Sequence, residues 1–380
     1  MAFNFDERID RRHSDSLKWQ KYGDKDIIPL WVADTDFRSP PCISDALQRR
    51  IAHGVFGYGG EPHGLTEVIL ARLWTRYQWK VEAEWLVYLP GVVSGLNLAL
   101  RCATEAQQSS ITPFPIYPPF RHAATLAGRP QRQAQMQLRA GRWLPDFSAL
   151  EAGMDGSEKL LMLCNPHNPG GTVYRREELA AQLAFAQRHD LLVCSDEIHC
   201  DLLLEPGVRH LPFASLSEDA AQRSITLMSP SKSFNIAGLG ASVAIIPNAD
   251  LRRRFQAARK GLVPGVDILA LVAAEAAWRD GQPWLDAQLD YLRRNRDAVV
   301  ASINATPGLQ VASPEGTYLA WIDASGLGLS RPEQHVEQHG VGLSAGRDFG
   351  DPHFVRLNFG CHRDLLQEAL RRIQLAAAAV

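Results

Sequence analysis

The sequence predicts an α/β protein: a large domain on a mostly parallel sheet, plus a smaller α+β domain. Three observations predict it. Short apolar runs at 85–89, 109–114, 159–164, 191–195, 224–228 and 241–246 alternate with helical stretches, the pattern of a sheet covered on both faces. Polar and proline-rich segments gather directly after those runs, where ligands bind in such sheets. At 380 residues the chain is also long for a single core, so a second unit is expected. The expected boundaries are an N-terminal arm with part of the small domain over 1–44, the large domain over 45–283, and the small domain over 284–380.

Taken in order, residues 1 to about 30 read as a polar arm that ends in Asp26-Ile-Ile-Pro-Leu-Trp-Val-Ala-Asp34. Gly54-Val-Phe-Gly-Tyr-Gly-Gly60 is a glycine-punctuated loop around Tyr58. Leu65 to Tyr77 has helical spacing. The strand at Trp85–Leu89 ends in Pro90-Gly91 and turns through Val92-Val93-Ser94-Gly95 into an apolar helix. Such a turn is either a plain connection or an anion site, because free N–H groups lie at a positive helix end. Ser109–Phe114 leads into Pro115-Ile-Tyr-Pro-Pro-Phe120, whose prolines present Tyr117 rigidly. The strand at Lys159–Cys164 runs into Asn165-Pro-His-Asn-Pro-Gly-Gly171, and Arg175 to Arg188 is an amphipathic helix. Leu191–Ser195 ends in Asp196-Glu-Ile-His199. The strand at 224–228 opens Ser229-Pro-Ser-Lys-Ser-Phe-Asn-Ile-Ala-Gly238. Long helices are expected at roughly 249–279 and 284–304. Strands follow at 316–323 and 353–359, and helices at 331–339 and 363–379. Arg356 and Asn358 share one face of the last strand.

Composition narrows the function classes. With 46% hydrophobic residues, 22% charged residues and a net charge of −2, nothing calls for a nucleic-acid or anionic-membrane partner. No apolar run approaches a membrane span. The N-terminus is polar, and Arg11-Arg12 is followed by His13-Ser14-Asp15 rather than an apolar stretch, so the cytoplasm is the expected compartment. The six cysteines are scattered without a CxxC pair, which supports neither a disulfide framework nor a zinc site. No metal is expected.

Lysine is scarce. Of 40 basic residues only seven are lysines, so positive surface charge here is arginine's task. Lys232, among small and apolar neighbours, reads as a residue kept for its amine. A desolvated lysine loses its proton readily, and only the neutral amine forms a Schiff base. Pyridoxal 5'-phosphate on such a lysine needs a carboxylate against its ring nitrogen, for which Asp196 is placed at a strand end. Asn168 suits the ring hydroxyl. Val92, Val93, Ser229 and Ser231 suit the phosphate, Tyr117 the ring face, and Arg356 a substrate carboxylate. Singly, each has a structural reading that is as good or better: Asp196 as a cap, Asn168 as a turn residue, Arg356 as an exposed strand arginine, the serines as loop formers. Jointly, five matched roles at strand ends are hard to reach by accident.

Asn165-Pro-His-Asn-Pro-Gly-Gly171, Ser195-Asp-Glu-Ile-His199 and Ser229-Pro-Ser-Lys-Ser-Phe-Asn-Ile-Ala-Gly238 together resemble the fold type I, class I/II aminotransferase superfamily. Within it the chain is most similar to the cystathionine β-lyase (cysteine-S-conjugate β-lyase, MalY/PatB-like) branch. Trp31-Val-Ala-Asp34-Thr-Asp36-Phe37, His53-Gly-Val-Phe-Gly-Tyr58, Pro314-Glu-Gly-Thr-Tyr-Leu-Ala-Trp321 and Phe354-Val-Arg-Leu-Asn358 extend the likeness over nearly the whole chain. It implies a homodimer with shared active sites, in which Tyr58 reaches the neighbouring subunit's phosphate. It also implies cofactor contacts from Asn168, Asp196 and His199, and substrate contacts from Arg356, Ala33 and Asp34. Lys232 would be the general base, and Tyr117 the donor to the leaving thiolate. Aminotransferases of this type usually place Tyr three residues after the aspartate and Arg eight after the lysine. His199 and Gly240 stand there instead, as the lyase branch suggests. Thr35 departs from that branch, where methionine is usual. The implied reaction is β-elimination from a β-thio amino acid such as cystathionine to pyruvate, ammonia and a thiol. The alternatives are an aminotransferase and, with little to favour it, a non-catalytic protein of the same fold.

Overall fold

The computed structural model describes residues 3–62 and 64–380. Its large sheet is made of β1 (Leu86–Leu89), β2 (Ser109–Phe114), β3 (Gln131–Arg139), β4 (Arg142–Asp146), β5 (Glu158–Cys164), β6 (Leu192–Asp196), β7 (Ser224–Met228) and β8 (Ser242–Ile245). Their order is β1-β8-β7-β6-β5-β2-β3-β4. The run β7-β6-β5-β2-β3 is parallel, while β1, β8 and β4 join antiparallel. The buried strands β5 to β7 are apolar runs because helices cover both faces. From β2 the chain goes one way to β3 and the other way to β5. Their carboxyl ends therefore flank a topological switch point, the usual place for a ligand crevice.

The helices that matter to the site are α1 (Pro41–Ala52), α2 (Leu65–Tyr77), α3 (Val92–Ala103), α4 (Pro118–Ala127), α5 (Arg176–Arg188), α6 (Ala249–Arg259), α7 (Ile268–Asp280) and α8 (Gln282–Asn304). Helix α3 crosses under the sheet at Gly95, where an added Cβ would come within 2.7 Å of Leu227. The second sheet is antiparallel: β9 (Gln310–Val311), β10 (Leu319–Asp323), β11 (Ser344–Ala345) and β12 (Phe354–Asn358), in the order β9-β10-β12-β11. The N-terminal arm does not pack on the large sheet. Phe5, Ile28, Leu30 and Phe37 share one core with Trp284, Tyr291, Leu319 and Leu357, and Ile28–Pro29 pairs in parallel with Val341–Gly342.

Three expectations need correction. The helix expected over 249–279 is two helices, α6 and α7, interrupted by Lys260-Gly-Leu-Val-Pro-Gly265. There Gly261 turns left-handed at φ +79°, and Pro264 has no N–H to give a helix. The loop expected over Pro115–Phe120 stops at Tyr117, because Pro118 opens α4 from a position where no intrahelical N–H is needed. The β3–β4 hairpin was not expected. Its signal is the two-residue alternation that buries Ala134 and Met136, closed by Ala140-Gly141, both at positive φ.

Candidate active site

Lys232, Asp196 and Asn168 line one cavity of about 250 Å³, together with Tyr117, His199 and the Pro90–Ser94 turn. The fold explains the convergence. Asp196 ends β6, Asn168 lies four residues past β5, and Lys232 four residues past β7. The loop after β2 joins them at the switch point, with the Tyr117 N–H donating to the Asn168 carbonyl at 3.1 Å. Buried His167 clamps the same two loops by bonding Nε2 to the Pro115 carbonyl at 3.1 Å. Burial pushes its pKa down to about 4, which keeps the ring neutral.

The charges in the cavity are displaced in directions useful to a cofactor enzyme. Burial, helped by the Arg356 charge, lowers the Lys232 amine to about 8, while Asp34 and Asp196 oppose the shift. Its Nζ donates to the Ala33 carbonyl at 2.7 Å. Burial raises the Asp196 carboxyl to about 7, and the Ile198 N–H donates to its Oδ1 at 3.0 Å. A cationic ring nitrogen is the partner that would reverse that shift. Burial, then the charges of Lys232 and Arg356, holds the His199 imidazole neutral, and its buried Nδ1 lacks a partner.

Arg356 is buried on β12 rather than exposed. Burial lowers its guanidinium to about 10. It donates to Asn168 Oδ1 and the Trp31 carbonyl, each at 2.9 Å, and to Ser344 Oγ at 3.3 Å. Among the described residues its Nε has no partner, and the Phe349 ring lies 4.5 Å from its guanidinium carbon.

Val92, Val93, Ser229 and Ser231 also line the cavity. Gly91 sits at φ +128° and starts α3 with its N–H groups facing that end. Ser229 is less free than the sequence suggested: its hydroxyl donates to the Ala241 carbonyl at 2.6 Å and accepts from the Ser231 N–H at 3.1 Å. Gly240 lines the cavity at φ +67°. Tyr58 is fully exposed, beside exposed Val55 and Phe56, and does not line this chain's cavity. A larger groove of about 730 Å³ between α1 and α7 lies next to that loop but gathers no comparable set of groups.

The sequence reading missed how the segment Trp31–Phe37 is held. Ala33 lines the cavity, and its carbonyl accepts from Tyr318 OH at 3.0 Å as well as from Lys232. Asn358 Nδ2 bonds the Val32 and Asp34 carbonyls, each at 2.6 Å. Asn235 takes the Thr35 N–H and the Thr35 and Phe37 carbonyls. This strap is thus tied to the Lys232 loop on one side and to β12 on the other. Thr35 is buried against Gly360, behind the strap and not in the cavity.

These residues fit pyridoxal phosphate. A basic amine, a carboxylate, an amide, an aromatic face and a helix N-terminus share one cavity, and an orphaned imidazole nitrogen lies beside it. Among the described residues no cluster has the make-up of a metal site, and no helix is long and apolar enough to cross a membrane.

Known proteins give the same pattern. The family model for aminotransferase class I and II matches residues 25–373. Cystathionine β-lyase PatB of Bacillus subtilis is 40% identical, covering 98% of this chain and 99% of the relative. The crystal structure of OvoB is 65% identical with a TM-score of 0.98, covering all of both chains. That of cystalysin from Treponema denticola, which contains pyridoxal 5'-phosphate, is 31% identical with a TM-score of 0.95 over all of both chains.

Proposed function

The chain belongs to the class I and II aminotransferase family, and from that premise we propose that it is a pyridoxal-phosphate-dependent carbon–sulfur β-lyase. Its substrate is cystathionine or a related cysteine S-conjugate, and its products are pyruvate, ammonia and a thiol. The observation that carries this is the Lys232 amine in one cavity with Asp196 and Asn168, with His199 and Gly240 where aminotransferases usually carry tyrosine and arginine.

Each residue's part follows from its chemistry. Pyridoxal phosphate, when bound on Lys232, supplies the electron sink that makes the substrate's α-proton acidic. Asp196 would pair with the ring nitrogen, Asn168 with the ring hydroxyl, and Tyr117 would cover a ring face. Val92 and Val93 would offer N–H groups to the phosphate, with Ser231 beside them. Arg356 holds the substrate carboxylate by a two-pronged contact, against the Ala33–Asp34 stretch. The free Lys232 amine would take the α-proton. Its pKa of about 8 leaves a useful neutral fraction near neutrality. The electron pair of the Cα–H bond then forms the Cα=Cβ bond, the Cβ–S bond breaks, and its own pair leaves with sulfur. Burial raises the Tyr117 phenol, so it stays protonated and can give its proton to the thiolate. The enamine product hydrolyses in water to pyruvate and ammonia.

The same reading has the protein work as a cytoplasmic homodimer. Exposed Val55, Phe56 and Tyr58, beside the groove between α1 and α7, support a second copy seated there with Tyr58 reaching its phosphate. A monomer in sedimentation would reject that part. The main test supplies cystathionine and S-alkyl cysteines without any keto-acid acceptor. Release of pyruvate and thiol in equal amounts is expected. Acceptor-dependent amino transfer without pyruvate would overturn the lyase in favour of an aminotransferase.

A further inference from the structure

Four charges meet where the N-terminal arm crosses the strap: Arg11 and Lys18 from the arm, Asp34 and Asp36 from the strap. Lys18 is fully buried, with Nζ 2.7 Å from Asp36 and 3.6 Å from Asp34. Arg11 spans the same pair, 2.7 Å from Asp36 and 3.1 Å from Asp34. The Trp19 indole N–H adds a third donor to Asp36 at 3.0 Å. Asp36 is therefore satisfied three times over. Among the described residues, Asp34 is held only by charge contacts and the second prong of Arg11, and its buried Oδ1 has no hydrogen bond. Its neighbour Ala33 carries the carbonyl that receives the Lys232 amine at 2.7 Å.

Lysine alone would neutralise Asp36. The second cation makes sense if the position of Asp34 matters. We propose that Asp34, pinned by Arg11 and Lys18, is a positioning residue for Lys232: it fixes the strap whose Ala33 carbonyl receives the free amine, and it sets a carboxylate directly beside that acceptor. This rests on Lys232 being the cofactor-bearing lysine. From the other elements around it, Lys232 is faced by Arg356 on β12, Asp196 at the end of β6, His199 in the turn beyond, and Tyr318 before β10. Burial and then Arg356 drive the proton off, Asp34 and Asp196 retain it, and His199 and Tyr318 stay neutral under burial. Asp34 is thus the one carboxylate in this set not already assigned to the cofactor.

Removing the two partners has opposite consequences. Asp34→Asn takes away the retaining charge, so Lys232 should lose its proton at lower pH. Arg11→Gln removes a nearby cation and leaves Asp34 less compensated, so Lys232 should hold its proton to higher pH. A role in packing alone predicts no such opposition.

The experiment uses the full chain freed of cofactor. The rate of reductive methylation of Lys232 by formaldehyde and cyanoborohydride is followed against pH, with the Lys232 peptide quantified by mass spectrometry. The wild-type midpoint is expected near 8. It should fall by on the order of one pH unit in Asp34→Asn, rise in Arg11→Gln, and return towards wild type in Arg11→Lys. Unchanged midpoints, or shifts in the same direction, would overturn the proposal. If Arg11→Gln fails to fold, an unmoved midpoint in Asp34→Asn overturns it alone. No substrate is used, so a failure to release pyruvate from cystathionine would reject the lyase and leave this result standing.

Discussion

Two walls of the cavity meet at Lys232, the strap contributing Ala33 to the lining, and they are built by different physics. The sheet wall carries Asp196 at a strand end and Asn168 and Tyr117 in the loops just beyond two others, all three strands parallel and fixed by the ladder and core beneath them. The strap wall, Trp31–Phe37, has no ladder in that stretch. The carbonyls of Trp31 through Thr35 are all taken by side chains, among them Arg356, Asn358, Lys232, Tyr318 and Asn235. A wall of the first kind tolerates changes to its neighbours, since backbone pairing holds it. The second kind depends on each donor, because an unpaired buried carbonyl costs about 1–3 kcal/mol.

The largest effect should come where the two walls touch. Lys232→Ala removes the amine that bonds the Ala33 carbonyl and, in the proposed reaction, both the cofactor anchor and the base. Turnover should fall by at least roughly 10²–10⁴-fold, the usual worth of a general base. Absorbance and pyruvate release measured together check it, and a variant with full activity would sink the entire assignment of the cavity.

A smaller effect separates the walls. Asn358→Ala deletes the amide that bonds two strap carbonyls yet leaves every cavity-lining side chain in place. The strap should shift, and pyruvate release should fall by roughly 10–100-fold, as displacements near 1 Å cost elsewhere. The decisive comparison is His167→Phe on the sheet wall, which also loses a buried hydrogen bond. There the strand ends should hold the site, and activity should change less. If the two variants lose equally, the distinction between the walls has no functional content.

The same distinction explains what could be read from the sequence. Strand ends announce themselves, because an apolar run followed by Asn165-Pro or Asp196-Glu gives both the element and the place where its loop emerges. Periodicity therefore brought Asn168, Asp196 and Lys232 together before any coordinates. The strap has no period. Apart from Arg11, Lys18 and Trp19 of the arm, its partners lie about 200 to 325 residues away, and nothing local in Trp31–Phe37 names them. One signal was there to be used. The scarcity of lysine that singled out Lys232 applies equally to Lys18, a lysine between Leu17 and Trp19 that proves to be fully buried. Its task only becomes visible once Asp34 and Asp36 are placed beside it.

The finest test of the comparison is the pH dependence of stability in cofactor-free protein, where the walls should pull in opposite directions. On the sheet wall, burial raises Asp196 from 3.8 to about 7. Between those values the unfolded chain has lost the proton that the folded chain retains, so this group makes stability fall as pH rises across that window. On the strap wall, burial works to raise Asp36, but the charge and hydrogen bond of Lys18 outweigh it and hold the carboxyl below 3.8. That contribution is present above the unfolded value and is lost only as pH falls below about 4. Asp196→Asn, neutral at every pH, should therefore match wild type near pH 4 and exceed it at pH 8, by at most roughly 4 kcal/mol. The loaded proteins should reverse the order, because the cationic ring nitrogen then stabilises the wild-type carboxylate and not the amide. Thermal unfolding of both proteins at the two pH values, with and without pyridoxal phosphate, checks it. A cofactor-free Asp196→Asn protein no more stable than wild type at pH 8 would mean that Asp196 is already compensated within the chain, and the sheet wall would then lack the unpaired acid that gives the cofactor's nitrogen its place.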